Sequence, residues 1–361
     1  MDKIIKNILK KIESNGFDAY LVGGFVRDYL LGIKTLDVDI CTNALPKDLH
    51  KMFPNNSNSN TYGGFNLKIK NYNIDITTYR KELKYESRKP TELIYINDLK
   101  EDILRRDFTI NSVCMNKDEK IIDLVNGVED INNHIIRMLG DIKERLEEDP
   151  LRILRAIRFS SVLNFELDDN LKEEIKNNYK LVSALSITRI KQELNKILLN
   201  KNYLKGLSLL KEFKILDLLE ITYEDINYVN DICGMWAQLN TSKTYSFTKQ
   251  EIANIINIRQ IIKEGIISNK TLFEFGLYNN LVAGEILCVN NKNIHKMYNN
   301  LPIKTINDLD ITNNEIIVLL NIEPSKFIKE LKQELVDLIL ENQLVNKNSE
   351  LRKYILKRKE M

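Results

Sequence analysis

The apolar residues change their spacing near residue 140. Before that point, short apolar runs bounded by Gly, Asn, Asp or Pro read as strands: Ala19–Val22, Leu36–Ile40, Asn66–Ile69, Ile74–Tyr79, Leu93–Ile96 and Ile121–Leu124. From residue 141 the apolar positions recur every three or four residues, as in Leu151–Phe159, Ile187–Leu199, Tyr203–Phe213, Lys249–Ile262, Ile316–Leu320 and Ser325–Leu340. All the apparent strands therefore lie in the first 140 residues. This predicts an α+β fold, with an α+β domain at the N-terminus and an all-helical remainder. No internal repeat is evident.

The sequence has 361 residues, 43% apolar and 29% charged, enough for two or three domains with a substantial core. No apolar run approaches the length of a membrane span, and no charged-then-apolar leader is present, so a cytoplasmic location is expected. Cys41, Cys114, Cys233 and Cys288 are far apart and form no CxxC pair, which disfavours a zinc ribbon and predicts buried thiols. None of the three histidines, His50, His134 and His295, is followed by Asp, which disfavours a histidine-based metal hydrolase. The formal charge is only +2, so a nucleic-acid partner would need a local basic stripe. Pro54–Asn60 reads as a loop, and the basic tail Leu351–Met361 as a solvated helix end.

Within the strand region, Leu36-Asp37-Val38-Asp39-Ile40 places two carboxylates at alternate positions. Side chains two apart on a strand share a face, with Cα atoms about 6.5–7 Å apart. Two such charges repel unless a cation lies between them. Upstream, Tyr20-Leu-Val-Gly23-Gly24-Phe-Val-Arg27-Asp28 reads as a strand, a Gly-Gly turn and a short helix that Gly32 would stop. Two glycines let backbone approach a ligand closely, and the helix start points unpaired N–H groups at it, which suits phosphate. Arg27 would add a planar fork for phosphate oxygens or pair with a carboxylate of the site.

Each feature is weak alone, since Gly-Gly makes ordinary turns and acidic pairs at this spacing arise by chance. Together they form the layout needed to hold Mg²⁺ between Asp37, Asp39 and a nucleoside triphosphate. Asp75, in another apolar strand, is the candidate third carboxylate. Neither GxxxxGK[ST] nor GxGxxG occurs near the turn, which disfavours a P-loop kinase or a dinucleotide-binding dehydrogenase.

These motifs resemble those of the class II tRNA nucleotidyltransferases, the CCA-adding enzymes and bacterial poly(A) polymerases of the DNA polymerase beta-like superfamily. LVGGFVRDYLLG followed by LDVDICTNALP resembles the family's catalytic motif, and Leu104–Ser112 (LRRDFTINS) its second. Tyr79–Glu92 resembles the flexible loop used while switching nucleotides. Asp123–Asp130 resembles the hinge-like third motif, Glu148–Arg152 the nucleotide-selecting fourth, and Ser186-Ile-Thr-Arg189-Ile-Lys-Gln-Glu193-Leu the fifth. Thr188 departs from the Glu common before Arg189, and Asp75 stands where many members carry Glu. The resemblance implies a polymerase beta-like nucleotidyltransferase head at 1–140, a helical neck at 141–205, and a helical body and tail at 206–361 that grips tRNA by shape and phosphate charge.

At the second motif, Arg105 and Arg106 offer two cations for triphosphate, and Asp107 can accept hydrogen bonds from ribose hydroxyls. In the fourth, Pro150 fits the first helical position after an Asp149 cap, and Arg152, Arg155 and Arg158 then share one helical face. The bare residues allow a solvated basic stripe. The resemblance implies that Asp149 and Arg152 hydrogen-bond the Watson–Crick edge of the incoming base, with Arg155 and Arg158 in support. It also implies that Asp37 and Asp39 hold Mg²⁺, that Asp75 helps activate the terminal hydroxyl, and that Gly23, Gly24, Arg27 and Arg106 handle triphosphate.

The expected activity is template-independent addition of CMP and AMP, from CTP and ATP, to the tRNA 3′ end by a two-metal mechanism. Neither a membrane nor a protein partner is implied. The rival activities are A-only addition, CC-only addition, polyadenylation and catalytically silent RNA binding. The full-looking Arg80–Glu92 segment disfavours CC-only addition, and a chain ending at 361 lacks the longer basic extension frequent in poly(A) polymerases.

Overall fold

Helix α1 (Lys3–Glu13) is capped by Asp2, whose carboxylate accepts from the Ile4 N–H at 2.7 Å, and it buries Ile5, Ile8, Leu9 and Ile12. In this computed structural model, residues 1–54, 58–59, 64–86 and 89–359 are described, with backbone alone at 58–59, 82–86, 89–92 and 359. The chain divides into two compact units, Met1–Glu220 and Ile221–Met361.

In the first unit, α1 is followed by β1 (Ala19–Val22), α2 (Gly24–Leu30), β2 (Asp37–Thr42) and α3 (Pro46–Met52). Next come β3 (Asn58–Ser59), β4 (Gly64–Ile69), β5 (Tyr72–Thr78), β6 (Arg80–Glu86) and β7 (Lys89–Tyr95). Helix α4 (Leu99–Leu104), β8 (Cys114–Met115) and β9 (Ile121–Ile122) complete the sheet region. Seven strands form one mixed sheet in the order β3-β4-β5-β2-β1-β8-β9. The β2–β5 pair is parallel and the pairs β1–β2, β4–β5 and β1–β8 are antiparallel, so the acidic strand sits centrally. Alternation explains the placement: Val38 and Ile40 are buried on one face while Asp37 and Asp39 point to the other.

Strands β6 and β7 pair with each other as a separate antiparallel hairpin. The segment expected to act as a flexible loop thus has strand backbone in its described part, and residues 87 and 88 lie outside the described residues. Of the Pro54–Asn60 loop, residues 55–57 and 60 lie outside them too, as do residues 360 and 361 of the tail.

The chain continues through α5 (Gly127–Asn132), β10 (Ile135–Ile136), α6 (Ile142–Glu148), α7 (Leu151–Leu163), β11 (Glu166–Leu167), α8 (Asp169–Asn178) and α9 (Ile187–Leu198). Helices α10 (Tyr203–Glu212) and α11 (Ile215–Leu219) end the first unit, and α7 packs against both α9 and α10. Buried residues at three- and four-residue spacing form the packed faces: Leu154, Ile157 and the small Ser161 on α7, Ile190, Leu194 and Ile197 on α9, and Leu207 and Leu210 on α10.

The second unit holds β12 (Ile221–Thr222), α12 (Ile232–Ala237), β13 (Asn240–Thr241), α13 (Lys249–Glu264) and α14 (Asn269–Ile286), which is kinked at Gly276. It ends with α15 (Asn291–Asn299), α16 (Asn313–Leu320), α17 (Lys326–Leu340) and α18 (Asn348–Lys359). Strands β11, β12 and β13 correct the expectation that all strands precede residue 140. They are two-residue pairings, too short to leave a periodic signal. A second correction concerns Cys288, which is exposed while the other three cysteines are buried. It follows the end of α14 with a positive φ of 59°, in a turn rather than on the helix's packed face.

Candidate active site

Strand β1 runs into Gly23 and Gly24, which start α2, and the turn abuts the acidic strand. Gly23 adopts φ 74°, and a Cβ there would stand 2.7 Å from Asp39 Oδ2. Glycine is therefore required twice over, by backbone conformation and by the approach of the carboxylate. The Gly24 N–H donates to the Asp39 carboxylate, so the helix N-terminus expected to greet phosphate is engaged by an acid of the chain itself. Gly32, at φ 71°, ends α2, and its N–H donates to the Tyr29 carbonyl at 3.1 Å.

Asp39 lies opposite Asp75 in the parallel register of β2 and β5, and Asp37 lies opposite Asn73. All three acids share one face of the sheet. Burial raises the Asp39 carboxyl above its ordinary range; Arg106 opposes the rise, while Asp75 and Asp37 add to it. Partial desolvation of its carboxyl, although the residue as a whole is exposed, and the Asp37 charge likewise raise Asp75, against a hydrogen bond from the Asn66 amide. The Asn73 amide donates to Asp37 Oδ1 at 3.0 Å. Among the described residues no three or more His, Cys, Asp or Glu side chains, these three acids included, stand together as a group that could hold a metal ion. Asp37 and Asp75 are exposed, which leaves coordination positions open to water and substrate oxygens. The Asp37–Asp39 pair, mutually repelling, oxygen-only and open, fits a hard divalent ion that keeps several non-protein ligands.

Next to Asp39 is a cavity of about 580 Å³. Gly23, Gly24, Arg27, Arg105, Arg106, Asp107, Asp149, Arg152, Arg155 and Arg158 all line it, so the structure brings together every residue expected to bind nucleotide. Of the expected metal ligands, Asp39 lines the cavity and Asp37 does not; Asp75 is also absent from its wall. With Arg80, the lining carries seven arginines against three aspartates, a balance suited to a polyanion.

These arginines are held by partners that sequence spacing alone did not identify. Asp102, fully buried, accepts from Arg105 Nε at 2.8 Å and from Arg106 Nη2 at 3.1 Å. Its position three and four residues before them is the one signal that could have revealed it. Arg27 donates to Asp28 Oδ1 through Nε and Nη2 at 2.9 and 2.7 Å, and to Asn111 Oδ1 through Nη1 at 2.7 Å. Asn111 lies in the second motif and also lines the cavity. Phe159 carries Arg27, Arg155 and Arg158 around its ring, with guanidinium carbons 5.4, 5.4 and 4.2 Å from the centroid.

The fourth motif differs slightly from the expected cap. Helix α7 begins at Leu151 and Pro150 stands just before it, yet Asp149 Oδ1 still accepts from the Leu151 N–H at 3.1 Å. Arg152, Arg155 and Arg158 share the cavity face, and Arg152 is only 7% exposed, so the solvated-stripe alternative does not hold there. Arg152 Nη1 pairs with Glu148 Oε2 at 3.0 Å. Arg158 approaches Glu193 of α9 at 2.8 Å, placing a buried carboxylate of the fifth motif behind the cavity while Thr188 is exposed.

Comparison with known proteins bears on the family of the chain. The Poly A polymerase head domain family matches residues 19–137, and the family described as a probable RNA and SrmB-binding site of polymerase A matches 164–222. A putative tRNA nucleotidyltransferase domain 2 matches 237–355. The chain is 31% identical to a CCA-adding enzyme of Staphylococcus haemolyticus (strain JCSC1435), covering 97% of this chain and 96% of that protein. It is 30% identical to a CCA-adding enzyme of Ligilactobacillus salivarius (strain UCC118), covering 94% and 92%.

Among solved structures, the Bacillus stearothermophilus CCA-adding enzyme in complex with CTP superimposes with a TM-score of 0.86 at 25% identity, over 100% of this chain and 98% of that one. The Thermotoga maritima CCA-adding enzyme complexed with tRNA shares the fold, with a TM-score of 0.68 at 22% identity over 99% and 96%. No helix among the described residues is long and apolar enough to cross a membrane. With its head, RNA-binding and second nucleotidyltransferase regions matched in order, and with relatives of about 30% identity along nearly its whole length, the chain belongs to the class II tRNA nucleotidyltransferases, among the CCA-adding enzymes.

Proposed function

We propose that this chain completes or restores the CCA terminus of tRNA, transferring CMP and then AMP from CTP and ATP without a nucleic-acid template. The observation that carries the reading is the single arginine-rich cavity in which the Gly23–Gly24 turn, Asp39, the Arg105–Asp107 segment and the Asp149–Arg152 pair meet. A triphosphate, a ribose and a base edge each find matching groups there: guanidinium forks, a partly buried carboxylate, and an acceptor beside a donor.

Membership in this family implies a divalent metal ion. Magnesium is the ion proposed, because the available ligands are hard carboxylate oxygens and the substrate is a polyphosphate. Asp37 and Asp39 would hold two such ions, which when bound supply the Lewis-acid chemistry that activates the terminal hydroxyl and stabilises the leaving pyrophosphate. Asp75, whose carboxyl is raised by partial desolvation and by Asp37, is suited to accept the hydroxyl proton.

Gly23, Gly24, Arg27, Arg105 and Arg106 are assigned to the triphosphate, and Asp107 to the ribose. Asp149 and Arg152 are assigned to the base. Cytosine and adenine both present an amino donor beside a ring-nitrogen acceptor, and modest repositioning of an aspartate and an arginine can serve either. Arg155 and Arg158 brace that pair. Head, neck, and body with tail are assigned to 1–140, 141–205 and 206–361, the last gripping the tRNA elbow and acceptor stem, with the protein working in the cytoplasm.

The test is a set of tRNA transcripts lacking CCA, lacking only the final A, or complete, each incubated with every labelled nucleotide separately and together. Addition of C, C and A followed by arrest supports the proposal. A-only incorporation or a lengthening A tract overturns it in favour of A-addition or polyadenylation, and binding without incorporation in favour of a silent RNA-binding protein.

A further inference from the structure

Arg145, near the end of α6, serves two parts of the cavity wall at once. Its carbonyl accepts from the Asp149 N–H at 3.3 Å and from Arg152 Nη1 at 2.5 Å, so both residues assigned to the base hang from one backbone oxygen. Its side chain reaches the other way. Nη2 donates to the carbonyls of Arg105 and Arg106, the latter at 2.7 Å, and Nη1 donates to Glu148 Oε2 at 2.8 Å. Glu148 also accepts from Arg152 Nη1, at 3.0 Å.

The guanidinium is mostly buried, and its Nε has no hydrogen-bond partner. Leaving a buried donor unpaired is unfavourable, so the group is held in place by what its Nη atoms bind. Two adjacent main-chain carbonyls and a carboxylate match a planar fork, and a lysine ammonium would satisfy them with poorer geometry.

We infer that Arg145 is a positioning residue for nucleotide selection, locking the base-reading Asp149–Arg152 pair to the turn that presents Arg105, Arg106 and Asp107. The inference rests on the assignment of base and triphosphate contacts made above. If the base readers and the triphosphate turn move as one piece, a correct base edge places the α-phosphate for attack, and a wrong one misplaces it. Selectivity then depends on a residue that touches neither base nor phosphate. Arg145 does not line the cavity, whereas Arg105, Arg106, Asp149 and Arg152 all do.

The experiment compares the full chain with its Arg145→Lys and Arg145→Gln variants, measuring kcat and KM for all four nucleoside triphosphates on transcripts lacking CCA and lacking only A. Tm and tRNA Kd are measured beside them. In Arg145→Lys, CTP-over-UTP and ATP-over-GTP selectivity should fall by about tenfold, with tRNA Kd within about twofold and Tm nearly unchanged; Arg145→Gln should lose more selectivity. A uniform loss of kcat for all four nucleotides, unaltered kinetics, or collapse of the fold in both variants overturns the inference. Asp149→Ala separates the two levels of the argument. If Asp149→Ala erodes selectivity and neither Arg145 variant does, the coupling alone fails; if Asp149→Ala also leaves selectivity intact, the base-reading assignment fails with it.

Discussion

Arg155 of α7 reaches Asp107 of the second motif, donating through Nε to Oδ2 at 2.7 Å and through Nη2 to the same oxygen. Burial by itself would push the Asp107 carboxyl up. The Arg155 charge and hydrogen bonds, helped by Asn111 and the Phe108 N–H, instead carry it below the usual carboxylate range. The acid assigned to the ribose is thereby kept ionised, which leaves both oxygens as acceptors and makes their hydrogen bonds from ribose hydroxyls charge-assisted.

Arg155→Met should therefore cost about 2 kcal/mol, less than for a fully buried pair because Arg155 keeps partial contact with solvent. The pH dependence follows from the sign of the shift. A carboxyl depressed in the folded state stabilises the fold at pH values above its unfolded pKa of about 3.9, and that stability disappears as pH falls through the lower folded value. Urea unfolding should show a steady gap between wild type and variant near neutral pH that narrows below about pH 5. A gap that persists unchanged to pH 3 refutes the ion pair as its source.

The acidic strand has the opposite sign. Asp39 is raised by burial and by its acidic neighbours, so ionising it opposes folding at neutral pH, and the penalty is relieved as pH falls through the raised folded value. Without divalent ion, Asp39→Asn should be at least as stable as wild type by calorimetry. Magnesium should raise Tm in the wild type and do so far less in the variant, and nucleotide incorporation should drop on the order of 10³-fold or more. A variant that keeps the full magnesium-dependent rise in Tm would show that the ion is held elsewhere.

The two adjacent glycines should not be equivalent. Gly23→Ala forces a side chain into a left-handed backbone and against the Asp39 carboxylate, so destabilisation of about 1–3 kcal/mol and near-complete loss of activity are expected. At Gly24 a Cβ would lie 3.5 Å from Arg27 Nη2, an ordinary contact, so Gly24→Ala should keep the fold and alter mainly nucleotide KM. Thermal melts and steady-state kinetics on the pair check this. Equal destabilisation by the two substitutions would refute the assigned cause.

Much of the site was legible because its chemistry lies in contiguous motifs. The alternation of Asp37 and Asp39, the Gly-Gly turn and the helical spacing of Arg152, Arg155 and Arg158 each dictate a shared face by local geometry, and the structure keeps those faces. The pairings of the arginines were less legible. Asp28, Asp102 and Glu148 lie near their arginines in sequence, but proximity does not say which of many acids in a charged chain turns inward. Asn111, Arg145 and Glu193 lie tens of residues from Arg27, Arg105 and Arg158, where no periodicity reaches.

Local sequence determined the strand-then-helix division, the faces on which acids and arginines stand, and the glycines that permit close approach, because all of these depend on backbone geometry within a few residues. Tertiary structure decided the order of strands that brings Asp75 beside Asp39, the meeting of α7 with the second motif, and which distant residues Arg27, Arg155 and Arg158 of the cavity wall meet. Those choices arise from long-range packing, where burying a charge is tolerated only beside a specific opposite charge, and only the assembled fold determines which charge that is.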